Sequence, residues 1–225
     1  MAEIPHSELD ALFEKASRGD NLAFTALQKE AERGDASAER FMGIMYLTGK
    51  GVKQDQGEAR KWLLGAAEKG LASAQSNLAN MYARGAGVPR NQSEALRWWT
   101  KSAVQGYAIA QYNLGQVYMN GNGVPVDMVA AVSWYRKAAE QREPNSQFNL
   151  GIAYANGDGV PRDLVQAHMW WRIASVTAGS AGPGEQIFVQ AWNNMTDIAK
   201  DMTTAQIAAA NKQANEWISV NLKSP

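Results

Sequence analysis

Two histidines, His6 and His168, and not one cysteine are all that this chain holds in the way of imidazole or thiolate chemistry. Neither a histidine cluster nor a thiolate set can assemble, so no metal site is expected. Acyl transfer of the Ser-x-x-Lys type needs a lysine one helical turn after the serine. Ser93 is followed at that place by Leu96, and Ser133 by Arg136. The run 43–50 has the composition of a phosphate loop, but five residues rather than four separate Gly43 from Gly49, and Gly51 stands where Ser or Thr is needed. The glycines of 179–184 follow a helical pattern rather than a strand and read as a connector. His168, just before Met169-Trp170-Trp171, reads as a packed or surface residue rather than a base. A reaction needs several groups in complementary roles, and none assemble; the expectation is a chain without catalysis, cofactor or metal.

Binding chemistry is better represented. Asn77, Asn113 and Asn149 recur 36 residues apart, each one position before a leucine, with Phe41 in the corresponding first place. That offset turns them away from the leucine face of a helix. Residues at −1, +3 and +7 share their side: Ser76, Asn80 and Arg84; Tyr112, Gln116 and Asn120; Phe148, Ile152 and Asn156. An amide both donates and accepts, so such a stripe can satisfy the backbone of an extended peptide, while Tyr112 and Phe148 offer contact area to its side chains. The candidate partner-binding residues are therefore Asn77, Asn80, Arg84, Tyr112, Asn113, Gln116, Asn120, Phe148, Asn149 and Ile152. The competing reading is that the asparagines bond to an adjacent helix and set repeat geometry.

The elements that must position this stripe are themselves periodic. Tyr46, Tyr82, Tyr118 and Tyr154 are 36 residues apart, and the same step relates Gly49/Gly51, Gly85/Gly87, Gly121/Gly123 and Gly157/Gly159, the valines that follow, and Trp62, Trp98, Trp134 and Trp170. A period of this length marks a solenoid, in which each unit buries its apolar face against its neighbours. Four repeats are read at 35–70, 71–106, 107–142 and 143–178. In each, a first helix carries small residues, a leucine or methionine and the tyrosine at spacings of three and four, and the glycine loop ends it. A second helix starts at Asp55, Asn91, Asp127 or Asp163 as N-cap, with Glu58, Glu94 and Gln166 placed to complete a capping box in three of the four. The tryptophans are expected to pack between repeats. Residues 1–34 read as a degenerate opening repeat that caps the array. Residues 179–225 read as a closing cap with helices near 185–200 and 204–222, the second with Ile207, Ala210, Ala214, Trp217, Ile218 and Leu222 as its apolar side.

The charge balance of 22 Lys+Arg against 22 Asp+Glu makes no electrostatic case for nucleic acid or an anionic membrane. No apolar run approaches the length of a membrane span, and a soluble monomer is expected. The acidic start of the chain lacks an export signal, which points to the cytoplasm; removal of a leader would make a periplasmic or secreted protein the alternative.

The units, with Asn113-Leu114-Gly115, Tyr118, Gly121-Asn122-Gly123-Val124, Asp127, Ala131, Trp134 and Ala138-Ala139 as the clearest copy, resemble the Sel-one-like repeat family, a relative of the tetratricopeptide repeats. The resemblance covers most of the chain. It implies an all-α fold, a right-handed α-α superhelix with helical caps, acting as an adaptor for other proteins; tetratricopeptide geometry would place the asparagine stripe on the concave surface. A scaffold that self-associates through its caps is the alternative, and a β-lactamase-like hydrolase, as claimed for some relatives, is the remote one. Some bacterial relatives carry a disulfide in every repeat and have been described as penicillin-binding or β-lactamase-like, and the absence of cysteine sets this chain apart from that subgroup.

Overall fold

A computed structural model describes residues 5–179 and 184–222; the centre of the expected connector, 180–183, lies outside them. The described residues form helices and no strand, in the solenoid class expected. They group into two compact units, the first ending at Tyr107 and the second beginning at Ala108.

The first unit holds α1 (His6–Ser17), α2 (Asn21–Glu32), α3 (Ala36–Thr48), α4 (Gln56–Glu68), α5 (Ala72–Arg84) and α6 (Gln92–Val104). Consecutive helices pack in sequence order. Leu9, Ala16, Ala23 and Leu27 of the opening pair are buried in one cluster with Ala38, Phe41, Met42 and Met45 of α3, and Trp62 packs on that cluster. The second unit holds α7 (Ala108–Asn120), α8 (Met128–Glu140), α9 (Pro144–Asn156), α10 (Leu164–Ala178), α11 (Glu185–Ile198), a 3₁₀ turn (Ala199–Asp201) and α12 (Thr204–Asn221). Both α11 and α12 pack on α10, the latter with Trp217 edge-on to Trp170 at 6.2 Å between ring centroids.

Local chemistry explains the repeat. Gly157 ends α9 in the left-handed region at φ 86°, its amide donating to Ala153 O. Gly159, at φ 71°, has a second constraint: a Cβ there would meet the backbone of Met128, the first residue of α8. Gly123 is likewise left-handed, at φ 82°. The loop glycines thus turn the chain, and Gly159 also lets the loop lie against the preceding helix. Inside the helices, a Cβ at Gly115 or Gly151 would come within 2.5 Å of the Tyr135 or Trp171 ring, so small residues on the first helix make room for a large one on the second.

Asp55, Asn91, Asp127 and Asp163 are N-caps, each side chain accepting from first-turn amides. The expected capping boxes at Glu58, Glu94 and Gln166 do not form. The cap's own amide, which the box would satisfy, donates instead to the carbonyl of Tyr46, Tyr82, Tyr118 or Tyr154 at 2.9 Å. Glu58 and Glu94 turn to Lys61 and Arg97, and Gln166 donates to Gln213 of α12. A reciprocal box closes at Thr203 and Gln206, where no such carbonyl intervenes.

A second set of amides ties helices together. Gln75 Nε2 donates to Ala67 O and Gln147 Nε2 to Ala139 O, both at 3.0 Å, satisfying carbonyls in the last turns of α4 and α8. Gln105 donates to Gln75 Oε1 and Gln141 to Gln111 Oε1, both at 2.8 Å. In the first repeat, Lys69 and Glu39 make the ionic version of this clasp at 2.8 Å.

Candidate partner-binding face

In the first unit, α5 carries Asn77 and Asn80 half-buried and Arg84 exposed. Asn80 and Arg84 come together at a pocket of about 340 Å³, whose opposite side is the end of α3, Leu47 and Thr48, with Gln54 and Gln56. Asn77 is not among its lining residues.

In the second unit, Tyr112, Asn113 and Gln116 are half-buried on α7 and Asn120 is exposed. The spacing of four is realised as a hydrogen-bonded row: Gln116 Nε2 donates to the Tyr112 hydroxyl at 2.8 Å, and Asn120 Nδ2 to Gln116 Oε1 at 3.4 Å. The Tyr112 ring leans on Tyr135, centroids 6.1 Å apart. Burial pushes the Tyr135 hydroxyl far above the ordinary phenol range, Tyr112 adds to the shift, and a side-chain hydrogen bond from Asn149 opposes it. Tyr135 is therefore a neutral phenol throughout the physiological range.

On α9, Phe148, Asn149 and Ile152 are half-buried. Phe148 and Ile152 pack against a cluster built from α10 and α11, with Trp171, Ala191 and Met195, and Trp171 Nε1 donates to Phe148 O at 3.1 Å. Ile152 also borders a pocket of about 410 Å³ closed on the far side by Asn194, Asp197 and Asp201. Asn149 faces a smaller cavity of about 130 Å³ between α7, α8 and α9. Two of the three asparagines have buried side-chain nitrogens: Asn113 Nδ2 has no hydrogen-bond partner among the described residues, and Asn149 Nδ2 meets the Tyr135 hydroxyl outside ordinary hydrogen-bond geometry.

His168 is buried; burial holds its imidazole below its ordinary pKa, and Arg172 adds to the shift, so it is a neutral packed residue. Among the described residues, no three of His, Asp and Glu gather to hold a metal ion. The sequence reading passed over the clasp of Gln75, Gln111 and Gln147. The signal was available: these glutamines are spaced 36 apart, and Gln105 and Gln141 follow their partners by 30.

The family model of the Sel1 repeat matches residues 36–71, 72–107, 108–142 and 144–175. Among solved structures, a Sel1 repeat protein from Oxalobacter formigenes is 23% identical, with 96% of this chain and 98% of that chain covered and a TM-score of 0.70. The immunity proteins Pa5087 and PA5088 from Pseudomonas aeruginosa are 16% and 15% identical, both at a TM-score of 0.54, covering 88% and 89% of this chain and 84% and 85% of theirs. At such identities the likeness shows the fold. No curated protein matches the chain. With four consecutive matched repeats spanning more than half of its residues, this chain belongs to the Sel1 repeat family.

Proposed function

We propose that the chain is a non-catalytic adaptor that binds a peptide segment of a partner protein on the asparagine-bearing face of its first helices. Sel1 repeat proteins are generally protein-interaction scaffolds, and the family is typically non-catalytic. The observation that carries the finer reading is the buried amide nitrogens of Asn113, which has no partner among the described residues, and of Asn149, which keeps at least one N–H unpaired beside its contact with the Tyr135 hydroxyl. Each such donor costs about 1–3 kcal/mol when left unsatisfied. Asparagines serving only as struts between helices would place these donors on a neighbouring carbonyl, as Gln75 and Gln147 do. An unsatisfied donor is recovered when a ligand carbonyl reaches it.

Capture of partners from the source lysate, followed by affinity measurement with Asn113→Ala plus Asn149→Ala, tests this. Loss of about one hydrogen bond's worth at each position, ~2 kcal/mol together, should weaken capture roughly thirtyfold. Melting should be nearly unchanged, because neither asparagine makes a hydrogen bond of ordinary geometry that the fold would lose. Retained capture with lowered melting would return the asparagines to architecture. The alternative, self-association through the caps, draws support from Val189 and Trp192, exposed side by side with Phe188 on α11. Light scattering of the purified chain, which detects oligomers without a partner, separates the two.

A further inference from the structure

The cavity of about 130 Å³ in the second unit adjoins the candidate face, and Asn149 stands in its wall. Met119 closes it from α7, Met128, Ala131, Val132 and Tyr135 from α8, and Ile152 and Ala153 from α9, with Asp158 of the following loop as a second polar residue in the wall. Its size is close to that of an engineered lysozyme cavity of ~150 Å³ that stays dry and takes up benzene. A phenyl ring or an isobutyl group fits such a space; an indole does not. Water gains little there, since the lining is mostly hydrocarbon and thioether. A purely apolar occupant would leave at least one N–H of the buried Asn149 amide unpaired, since its contact with the Tyr135 hydroxyl engages only one of the two. A peptide residue would not, because its backbone carbonyl accompanies its side chain.

The niche also recurs. In the first unit, Leu47, Gln56, Asn80 and Met81 line the pocket described above, and each stands 72 residues, two repeats, before Met119, Met128, Ile152 and Ala153. An accidental packing fault would not reappear at the same repeat positions. The space is built where the end of one first helix, the start of its second helix and the following first helix meet. Gln54, Gln56 and Arg84 make the earlier copy polar, while Met128 and Ile152 make the later one apolar.

We propose that the cavity between α7, α8 and α9 is a specificity pocket for a leucine or phenylalanine side chain of the bound peptide, with Asn149 Nδ2 donating to a backbone carbonyl of the same segment. The proposal rests on the adaptor reading and names what it selects. The test uses the full chain with methyl-labelled methionine and, as probes, N-acetyl-L-leucinamide, N-acetyl-L-phenylalaninamide, N-acetylglycinamide and benzene. The leucine and phenylalanine amides should shift the Met119 and Met128 methyl signals saturably, with about millimolar affinity, and the glycine amide should not. Ala153→Leu, or Ala131→Val from the opposite wall, should abolish the shifts while circular dichroism stays unchanged. Asn149→Ala should weaken the phenylalanine amide by about tenfold and leave benzene unaffected. Binding of benzene without either amide would mean an apolar small-molecule cavity and overturn the proposal. If no probe moves the two methyls while the Asn113/Asn149 double variant still loses capture, the pocket assignment falls and the adaptor reading stands.

Discussion

Replacing Gly159 by alanine places a methyl group within 2.5 Å of the Met128 carbonyl carbon and 2.9 Å of the Val129 nitrogen, closer than real Cβ contacts come. Its neighbour in the motif, Gly157, has a similar left-handed φ, 86° against 71°, but a Cβ there would meet Arg162 Cβ at an ordinary 3.4 Å. The two alanine variants therefore share the backbone cost and differ in the collision. Forcing an alanine into the left-handed region costs about 1–2 kcal/mol. Displacing the loop from the first turn of α8 adds an overpacking cost of about 1–3 kcal/mol. The expectation is roughly 1 kcal/mol for Gly157→Ala and about 3 kcal/mol for Gly159→Ala, or melting shifts near 3 °C and 9 °C for a chain of this length. Repeat arrays can unfold in stages, so urea titration followed by circular dichroism, with the slope compared between variants, is the appropriate assay. Equal losses for the two variants would refute the reasoning: positive φ alone would then explain both glycines, and the loop would not rest on the helix before it.

The capping geometry predicts that Asn91→Ala costs about 1 kcal/mol, because its side chain holds the Glu94 amide, whereas Glu94→Ala costs less than about 0.5 kcal/mol, because the reciprocal bond is absent; urea midpoints of the two variants decide it. Deleting 203–225 should strip α12 from α10, expose the surface around Trp170 and raise binding of a hydrophobic dye, and a monomeric truncation of unchanged stability would make that helix an appendage. His168 is held below its ordinary pKa near 6.5, so the folded state binds the proton less well than the unfolded state. Its contribution is constant above that value and is lost as the pH falls from there through the lower folded pKa. A His168→Gln variant should show a smaller drop in urea midpoint between pH 7.5 and 5.5 than the parent.

The sequence by itself determined the repeat, its two helices, the helix N-caps and the loop glycines, because each depends on residues within one turn or one period. Gly123 is left-handed for the reason its recurrence implied, and Asp55, Asn91, Asp127 and Asp163 cap because their side chains reach amides two or three residues on. The closing helices were legible in the same way, from the apolar spacing of Ala210, Ala214, Trp217 and Ile218, the last three of which face the core around Trp170. The opening of the capping box was not legible, since it depends on a tyrosine carbonyl nine residues upstream in the preceding helix winning the cap's amide. Nor was the setting of the candidate face. The period showed that Phe148, Asn149 and Ile152 lie off the leucine stripe, yet α11, a helix outside the period, packs on Phe148 and Ile152, while Tyr135 and Met119 wall in Asn149. Period and local spacing specify what a residue's own helix requires of it. Which donors stay unsatisfied, and which apolar gap is left unfilled, depends on side chains that arrive from other helices, and only the packed tertiary structure decides that.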